Sequence, residues 1–406
     1  MAGVLEGLKV IAMEHMEAIP VASVWMADWG AEVLKVEPLT GDMFRGLKGA
    51  HGMTTEIELS GASVNWTFQL FNRNKKSLAI NLKTEEGQQI LYKLVKEADV
   101  FLSNYELDSL KKLNADYPSI SKINPAIVYA TISGYGSKGP DSNQRGFDHA
   151  AGWARTGMQY MIGEPGSAPP RLRGGMIDRG IAAPQVLAGI LAALYHKDKT
   201  GEGQELELSL FNAGIWTLAL DIEAALVGIT AIKDDRRKAK NPLYNVYRAG
   251  DGRWFQMSML QSDPVWPGFC KAIKKPELEN DPRFNSMEAR EDNCEELIRI
   301  IDETLASGDS DMWEPRFREN DLIYAKVQSP TEVTTDPQAI ANEVFTKLPH
   351  PLGTFPVIAT PVKFKQNPAE VKTSAPEVGQ DNEFTLIDLG YTWEDIAVMK
   401  DKGVIL

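Results

Sequence analysis

The chain has 406 residues, 43% apolar and 24% charged, which places it among globular proteins of two or three domains and excludes disordered, collagen-like and coiled-coil chains. A formal net charge of −13 excludes general affinity for nucleic acid or acidic membrane surfaces, so an anionic ligand must meet a local basic patch. Cys270 and Cys294 cannot build a disulfide framework, and the five scattered histidines offer no metal-ligand spacing.

In chain order, the first 135 residues alternate strand and helix signals. Leu8–Ala12 predicts a strand, Pro20–Trp29 a helix, and Ala31–Glu37 a second strand, a unit that favours a parallel sheet. Leu78–Leu82 predicts a strand, Glu85–Glu97 a helix capped by Thr84, and Val100–Ser103 the next strand. A helix at Asp108–Leu113 follows, and Ala126–Ser133 is β-branched enough for a strand buried on both faces. Residues 136–177 are rich in Gly, Pro, Arg and Ser and predict functional loops. Ile181–Tyr195 is apolar almost all round and predicts a buried helix, with Pro184 tolerated in its first turn. Glu205–Leu210 alternates as a half-buried strand. The character then changes: Tyr244–Met259 predicts two strands around Asp251-Gly252, and Pro264–Arg318 carries amphipathic helices, together a smaller domain. Residues 330–406 end in a helix near Trp393–Lys402 and are too thin for a core of their own, so they are expected to pack back onto the first domain. With no run of 18 apolar residues and no basic segment followed by a secretory apolar core, a cytoplasmic, soluble protein is expected.

The first strand–helix turn has no glycine between residues 11 and 20, which disfavours a dinucleotide-binding dehydrogenase, and phosphate-loop, zinc-protease and nucleophile-elbow motifs are lacking. Carboxylates and basic residues remain. Asp178 follows the loop Arg171–Ile177 and precedes the apolar helix. It is either an N-cap or a carboxylate displayed beside a glycine-lined loop, and an ordinary pKa near 3.9 would leave it ionised at neutral pH without a general base. Lys35, Arg45, Arg73, Lys75, Lys76, Lys83, Lys111, Lys112, Arg145, Arg171 and Arg173 lie near strand ends or in loops and together form a candidate anion site, Arg145 beside Gly146 being favoured. Asp148 is a second active-site carboxylate or a loop cap, and Trp153, in the loop region, is the tryptophan expected outside the core.

Several blocks now carry a resemblance. Leu5-Glu6-Gly7-Leu8-Lys9-Val10, Gly30 through Pro38, Gly41-Asp42, Asn72 through Ser77, Gly189 through Leu194, Thr200 through Gln204, Ala375 through Gln380 and Leu389-Gly390-Tyr391 stand in the order and spacing of the class III CoA-transferases. Over nearly its full length the chain resembles this group, which includes formyl-CoA transferase, carnitine CoA-transferase and α-methylacyl-CoA racemases. The resemblance implies an α/β fold: a Rossmann-like parallel sheet in a discontinuous large domain (1–224 and 330–406), a smaller α+β domain (225–329), and an interlocked, ring-like homodimer.

It further implies that Asp178 is the nucleophile, passing CoA from an acyl-CoA donor to a small carboxylic acid through aspartyl anhydrides and an aspartyl-CoA thioester, without metal or nucleotide redox cofactor. Asp148 joins it as a catalytic residue. Glu17, Ala18, Ile80, Lys83, Asn104, Tyr105, Lys112 and Arg145 match positions that contact CoA. The chain departs from the family pattern at Glu17, often glutamine, and at Glu106-Leu107-Asp108. The glycine-rich flap of formyl-CoA transferases has no counterpart between 225 and 265, which disfavours formyl-CoA or oxalate. Phe147 stands where racemases use a histidine, which favours transfer over racemisation. The alternatives are an acyl-CoA racemase or epimerase and a catalytically silent CoA-thioester-binding paralogue.

Overall fold

Six segments pair as parallel strands: β1 (Lys9–Met13), β2 (Glu32–Glu37), β3 (Lys76–Ala79), β4 (Val100–Ser103), β5 (Val128–Ser133) and β6 (Gln204–Ser209). The computed structural model describes residues 3–50 and 52–406. Their order across the sheet is β3-β2-β1-β4-β5-β6, the doubly wound Rossmann arrangement, which reverses between β1 and β4. Successive residues of a strand face opposite sides, so the inner strands feed two cores. Val10, Ala12, Val33, Val100, Leu102 and Val128 lie in one core, with Ile19 and Ala22 of helix α1 (Ala18–Asp28). Ile11, Leu34, Val36, Phe101 and Tyr129 lie in the other, with Ile90, Leu91 and Val95 of α2 (Glu85–Glu97). Thr84 caps α2 as the sequence predicts, its Oγ1 accepting the Gly87 N–H at 3.1 Å.

After β4 comes the short α3 (Leu107–Lys112), and before β6 the long α4 (Ala183–Thr200), which ends at Gly201 with φ +78°. Although α4 is apolar nearly all round, only one side packs inward, through Ala183, Val186, Leu187, Ile190 and Ala193. Ala188, Ala192 and Tyr195 are exposed on this single chain, unlike the fully buried helix expected. Helices α5 (Leu210–Thr217) and α6 (Ala219–Leu226) follow β6.

By its contacts the chain divides into two units. The larger holds the sheet, and includes Arg171–Thr230 and Ala341–Leu406; the smaller comprises Tyr160–Pro170 and Ala231–Ile340. The smaller unit has an antiparallel sheet of β7 (Val246–Arg248), β8 (Trp254–Met257) and β9 (Tyr324–Lys326), turning through Gly252 at φ +84°. Helices α7 (Trp266–Ala272), α8 (Cys294–Ala306) and α9 (Ser310–Glu319) close its own core of Tyr247, Phe255, Phe269, Ile301 and Trp313. Arg253 pairs with Glu332 at 2.6 Å, which ties the segment after 329 to this unit.

In the larger unit, the tail covers the edge of β3. Asp381 and Asn382 accept the backbone N–H groups of Ser77 and Ala79, each at 2.8 Å, and Ile405 pairs with Ile80. An open strand edge is thereby closed.

Beneath the loop between β1 and α1 lies a group of fully buried charges. Lys35 meets Asp42 at 2.9 Å and Glu14 at 3.5 Å, while Lys75 meets Glu14 at 2.6 Å. Ser23 donates to the other Glu14 oxygen at 2.6 Å, and Lys35 donates to the Glu14 carbonyl at 3.1 Å. Four of the basic residues expected at an anion site are thus already committed: Lys35 and Lys75 here, Arg45 to Glu37 at 2.6 Å, and Arg73 to Asp28 at 2.7 Å. A cation inside a parallel sheet must find a carboxylate, because burial without one costs several kcal/mol. Replacing Lys35 by Met is expected to leave the acids uncompensated and to lower stability by about 3–5 kcal/mol, read as an early urea midpoint; an unchanged midpoint would contradict this.

Candidate active site

Where the strand order reverses, the loops leaving β1 and β4 part and open a cleft, as parallel sheets do at their switch points. Asn104 fixes the spacing of the loops: its Oδ1 accepts the His15 N–H at 3.0 Å and its Nδ2 donates to the His15 carbonyl at 2.7 Å. The Tyr105 ring lies 5.2 Å from that of His15, and burial pushes the His15 imidazole below its ordinary pKa, so it is neutral at pH 7. Met16 takes φ +61° and its N–H reaches Asp42 Oδ1 at 3.4 Å, so the buried charge group supports the loop from below. The cleft has a volume of about 460 Å³ and brings together Glu17, Ala18, Asn104, Tyr105, Arg145 and Asp178.

Asp178 enters from the other wall. Its segment begins at the tight Gly174-Gly175 turn, with Arg179 N–H on the Gly175 carbonyl at 2.9 Å, and Asp178–Ala182 form a wide π-helical turn that runs into α4. Such turns recur at functional sites. Ile177 is already helical, so Asp178 lies inside the helical path and does not act as the N-cap that the sequence allowed. Asp148 is buried behind it. Its Oδ1 accepts the Ile177 N–H at 2.9 Å and its Oδ2 the Trp153 Nε1–H at 3.2 Å. Asp148 therefore fixes the backbone immediately before Asp178, and Trp153, expected outside the core, is buried because its indole N–H serves this carboxylate.

Glu17 is paired with Arg179, whose Nη2 also donates to the Gly174 carbonyl at 3.1 Å. Gly175 has φ +75°, and a Cβ there would collide with both Glu17 and Arg179, so only glycine accommodates the turn and the pair together. Glu17 and Asp178 thus share one guanidinium, with Asp148 a third carboxylate close by. Burial, then Asp148 and Glu17, push the Asp178 carboxyl up to about 8 against the opposing pull of Arg179. This corrects the expectation of an ordinary, fully ionised aspartate. Burial raises Glu17 as well, with Asp148 adding to the shift and Arg179 opposing it.

The remaining candidates lie elsewhere. Arg145 is 81% exposed in its side chain and pairs with Glu106 at 2.9 Å on the cleft rim, so a residue matching the family pattern faces one that departs from it. Lys83 and Lys112 are exposed and do not line the cleft. Ile80 is a core side chain whose N–H bonds to the Glu37 carbonyl at 3.0 Å. Sequence reasoning passed over Arg179, whose signal was its position directly after Asp178, and His15, counted only as one of five scattered histidines. Among the described residues no group of three or more His, Cys, Asp or Glu side chains is placed to hold a metal ion, and no helix is long and apolar enough to cross a membrane.

Fold and site together define an α/β protein with an acidic group held at the switch point of a parallel sheet. The family model of CoA-transferase family III matches residues 5–382, and the chain belongs to that family and is a CoA-transferase, with CoA thioesters as substrates. It is 35% identical, over 99% of both chains, to (R)-2-hydroxy-4-methylpentanoate CoA-transferase of Clostridioides difficile. It is 32% identical, over 98% of this chain and 97% of the relative, to cinnamoyl-CoA:phenyllactate CoA-transferase of Clostridium sporogenes. Among solved structures, a CAIB/BAIF family protein from Brucella suis superposes with a TM-score of 0.83 at 25% identity, covering 96% of this chain and 100% of that one.

The raised Asp178 carboxyl has a consequence for stability. With a folded pKa of about 8 against an ordinary carboxylate value in the unfolded chain, the folded state holds the extra proton between the two, so stability falls as pH rises through that window. Asp178→Asn, which cannot ionise, is expected to raise the melting temperature most above about pH 8, with the gain vanishing near pH 4. Calorimetry across pH checks this, and a gain independent of pH would count against it.

Proposed function

We propose that the enzyme moves CoA from an acyl-CoA to a 2-hydroxy carboxylic acid, with Asp178 as nucleophile. The observation that carries this is Asp178 lining the switch-point cleft, its backbone fixed by Asp148 and its neighbour Arg179 fixed to Glu17. The names of the two relatives given above supply the acceptor class, since each contains a 2-hydroxy acid.

The ionised carboxylate attacks the thioester carbonyl, the C–S bond breaks, and an aspartyl–acyl anhydride and CoA thiolate result. The thiolate attacks Cγ of Asp178 and expels the donor acid as its carboxylate, leaving an aspartyl-CoA thioester. The acceptor carboxylate attacks the same Cγ and releases the thiolate. The thiolate then attacks the acceptor's carbonyl in the new anhydride and frees Asp178. Each step exchanges one anionic nucleophile for one anionic leaving group, so no net proton moves. Desolvation that raises the basicity of Asp178 also makes its ionised form the stronger nucleophile.

Ala18, Asn104 and Tyr105 are assigned to the CoA side of the cleft, with Arg145 exchanging Glu106 for a CoA phosphate. The exposed Lys83 and Lys112, and the backbone at Ile80, are assigned to the more distant parts of CoA. Cys270 and Cys294 are free thiols, in keeping with action in the cytoplasm.

The functional unit is proposed to be a homodimer of interlocked rings. Beyond the exposed side of α4, Trp216, Leu220 and Leu226 of α5 and α6 are 74%, 87% and 76% exposed on the single chain, large apolar side chains of the kind a partner subunit covers.

Incubation with acyl-CoA and hydroxylamine is expected to leave a hydroxamate on the Asp178 peptide, and Asp178→Ala to abolish transfer. Full activity in that variant, or tight CoA binding without exchange across a broad panel of acids, would overturn the reading. Light scattering should give twice the 44.9 kDa chain mass, and Leu220→Asp combined with Leu226→Asp should shift the protein toward monomer; a monomeric parent would reject the assembly.

A further inference from the structure

We infer that Glu17 selects the acceptor by taking a hydrogen bond from its 2-hydroxyl group, an inference that rests on the proposed acceptor class. Glu17 lines the cleft together with Asp178 and is tied, through Oε2, to the residue that follows Asp178 in the chain. Its carboxylate is held in place on that side by Arg179, by the second arm of Arg179 on the Gly174 carbonyl, and by a glycine turn with no room for a side chain. The other oxygen, Oε1, meets no protein donor among the described residues.

An ionised carboxylate can only accept hydrogen bonds, so the group that satisfies Oε1 must be a donor. An incoming 2-hydroxy acid brings one such donor on the carbon next to its own carboxylate. When that carboxylate approaches Cγ of Asp178, the hydroxyl is carried into the cleft that Glu17 and Asp178 line together. Asn104 does not compete for it, because its amide is spent in both directions on the His15 backbone. Arg179 supplies the positive charge that lets an acid stand beside the acceptor's carboxylate without repelling it.

An acid of the same skeleton lacking the hydroxyl leaves Oε1 desolvated and unpaired. Sites built around a substrate hydroxyl reject such analogues by about 10⁴-fold, and a half-buried acceptor on one wall is expected to give at least about 100-fold.

The experiment compares kcat/KM for CoA transfer to 2-hydroxy-4-methylpentanoate and to 4-methylpentanoate, because the ratio cancels any general loss of activity. The parent enzyme is expected to favour the hydroxy acid by at least about 100-fold. Glu17→Gln keeps an acceptor but removes its charge, and the ratio is expected to fall about tenfold. Glu17→Ala should bring it close to one, and Glu17→Asp should restore part of it. A parent ratio near one, which decides the matter even if no variant folds, or a ratio unchanged in Glu17→Gln and Glu17→Ala, would overturn the inference. Failure of the parent to transfer CoA to any acid would instead overturn the proposed function on which it stands.

Discussion

Everything at the site depends on how this fold handles charge it has buried. Lys35 on β2 and Lys75 just before the edge strand β3 are fully enclosed, and Glu14 and Asp42 reach them from the segments that follow β1 and β2. Because each lysine would be untenable without its partner, the carboxylates cannot move, and the loop that carries them cannot move either. The left-handed backbone at Met16 is one result. It is a conformation that costs about 1–2 kcal/mol for such a residue and persists where its surroundings over-determine it. Glu17, the next residue, is delivered to the cleft from a fixed base.

The opposite wall applies the same logic with the balance reversed. Asp148 is satisfied by an amide and an indole N–H, and Asp178 is left with the weaker compensation of the two. Its destabilisation is the counterpart of the nucleophilic role proposed for it: a carboxylate fully solvated or fully paired would be a poorer nucleophile toward a thioester. The π-helical turn places Asp178 inside the helical path, where its side chain caps no backbone N–H. Rigid support on one wall and an under-satisfied acid on the other are complementary parts of one device.

The elements that could be read from the sequence were those whose signal is local. Thr84 and the periodicity after it define α2, the β-branched run at Val128–Ser133 defines β5, and Asp251-Gly252 defines the hairpin of the smaller unit. The alternation of strands and helices gave the parallel sheet, and Asp178 stood out by its position and by the blocks around it. What could not be read was pairing across long separations. Arg73 looks like a free base until Asp28, 45 residues away, folds beside it. Trp153 looks exposed in a loop until Asp148 requires its N–H, and the ordinary ionisation expected of Asp178 ignores two acids that arrive from other parts of the chain. Lys35 and Lys75 misled for the same reason, since a lysine at a strand end is spelled alike whether it meets solvent or a buried glutamate.

The closing of the β3 edge by residues 381–405 bears on how the chain is made. In a chain synthesised from its N-terminus, the smaller unit at 231–340 is complete before Asp381, Asn382 and Ile405 have been added, while the sheet that began with residue 9 still has an open flank. The larger unit therefore reaches its final form after the one inserted within it. Until then an unpaired strand and the uncovered core beneath it are exposed to other chains, a period in which protection by chaperones matters most.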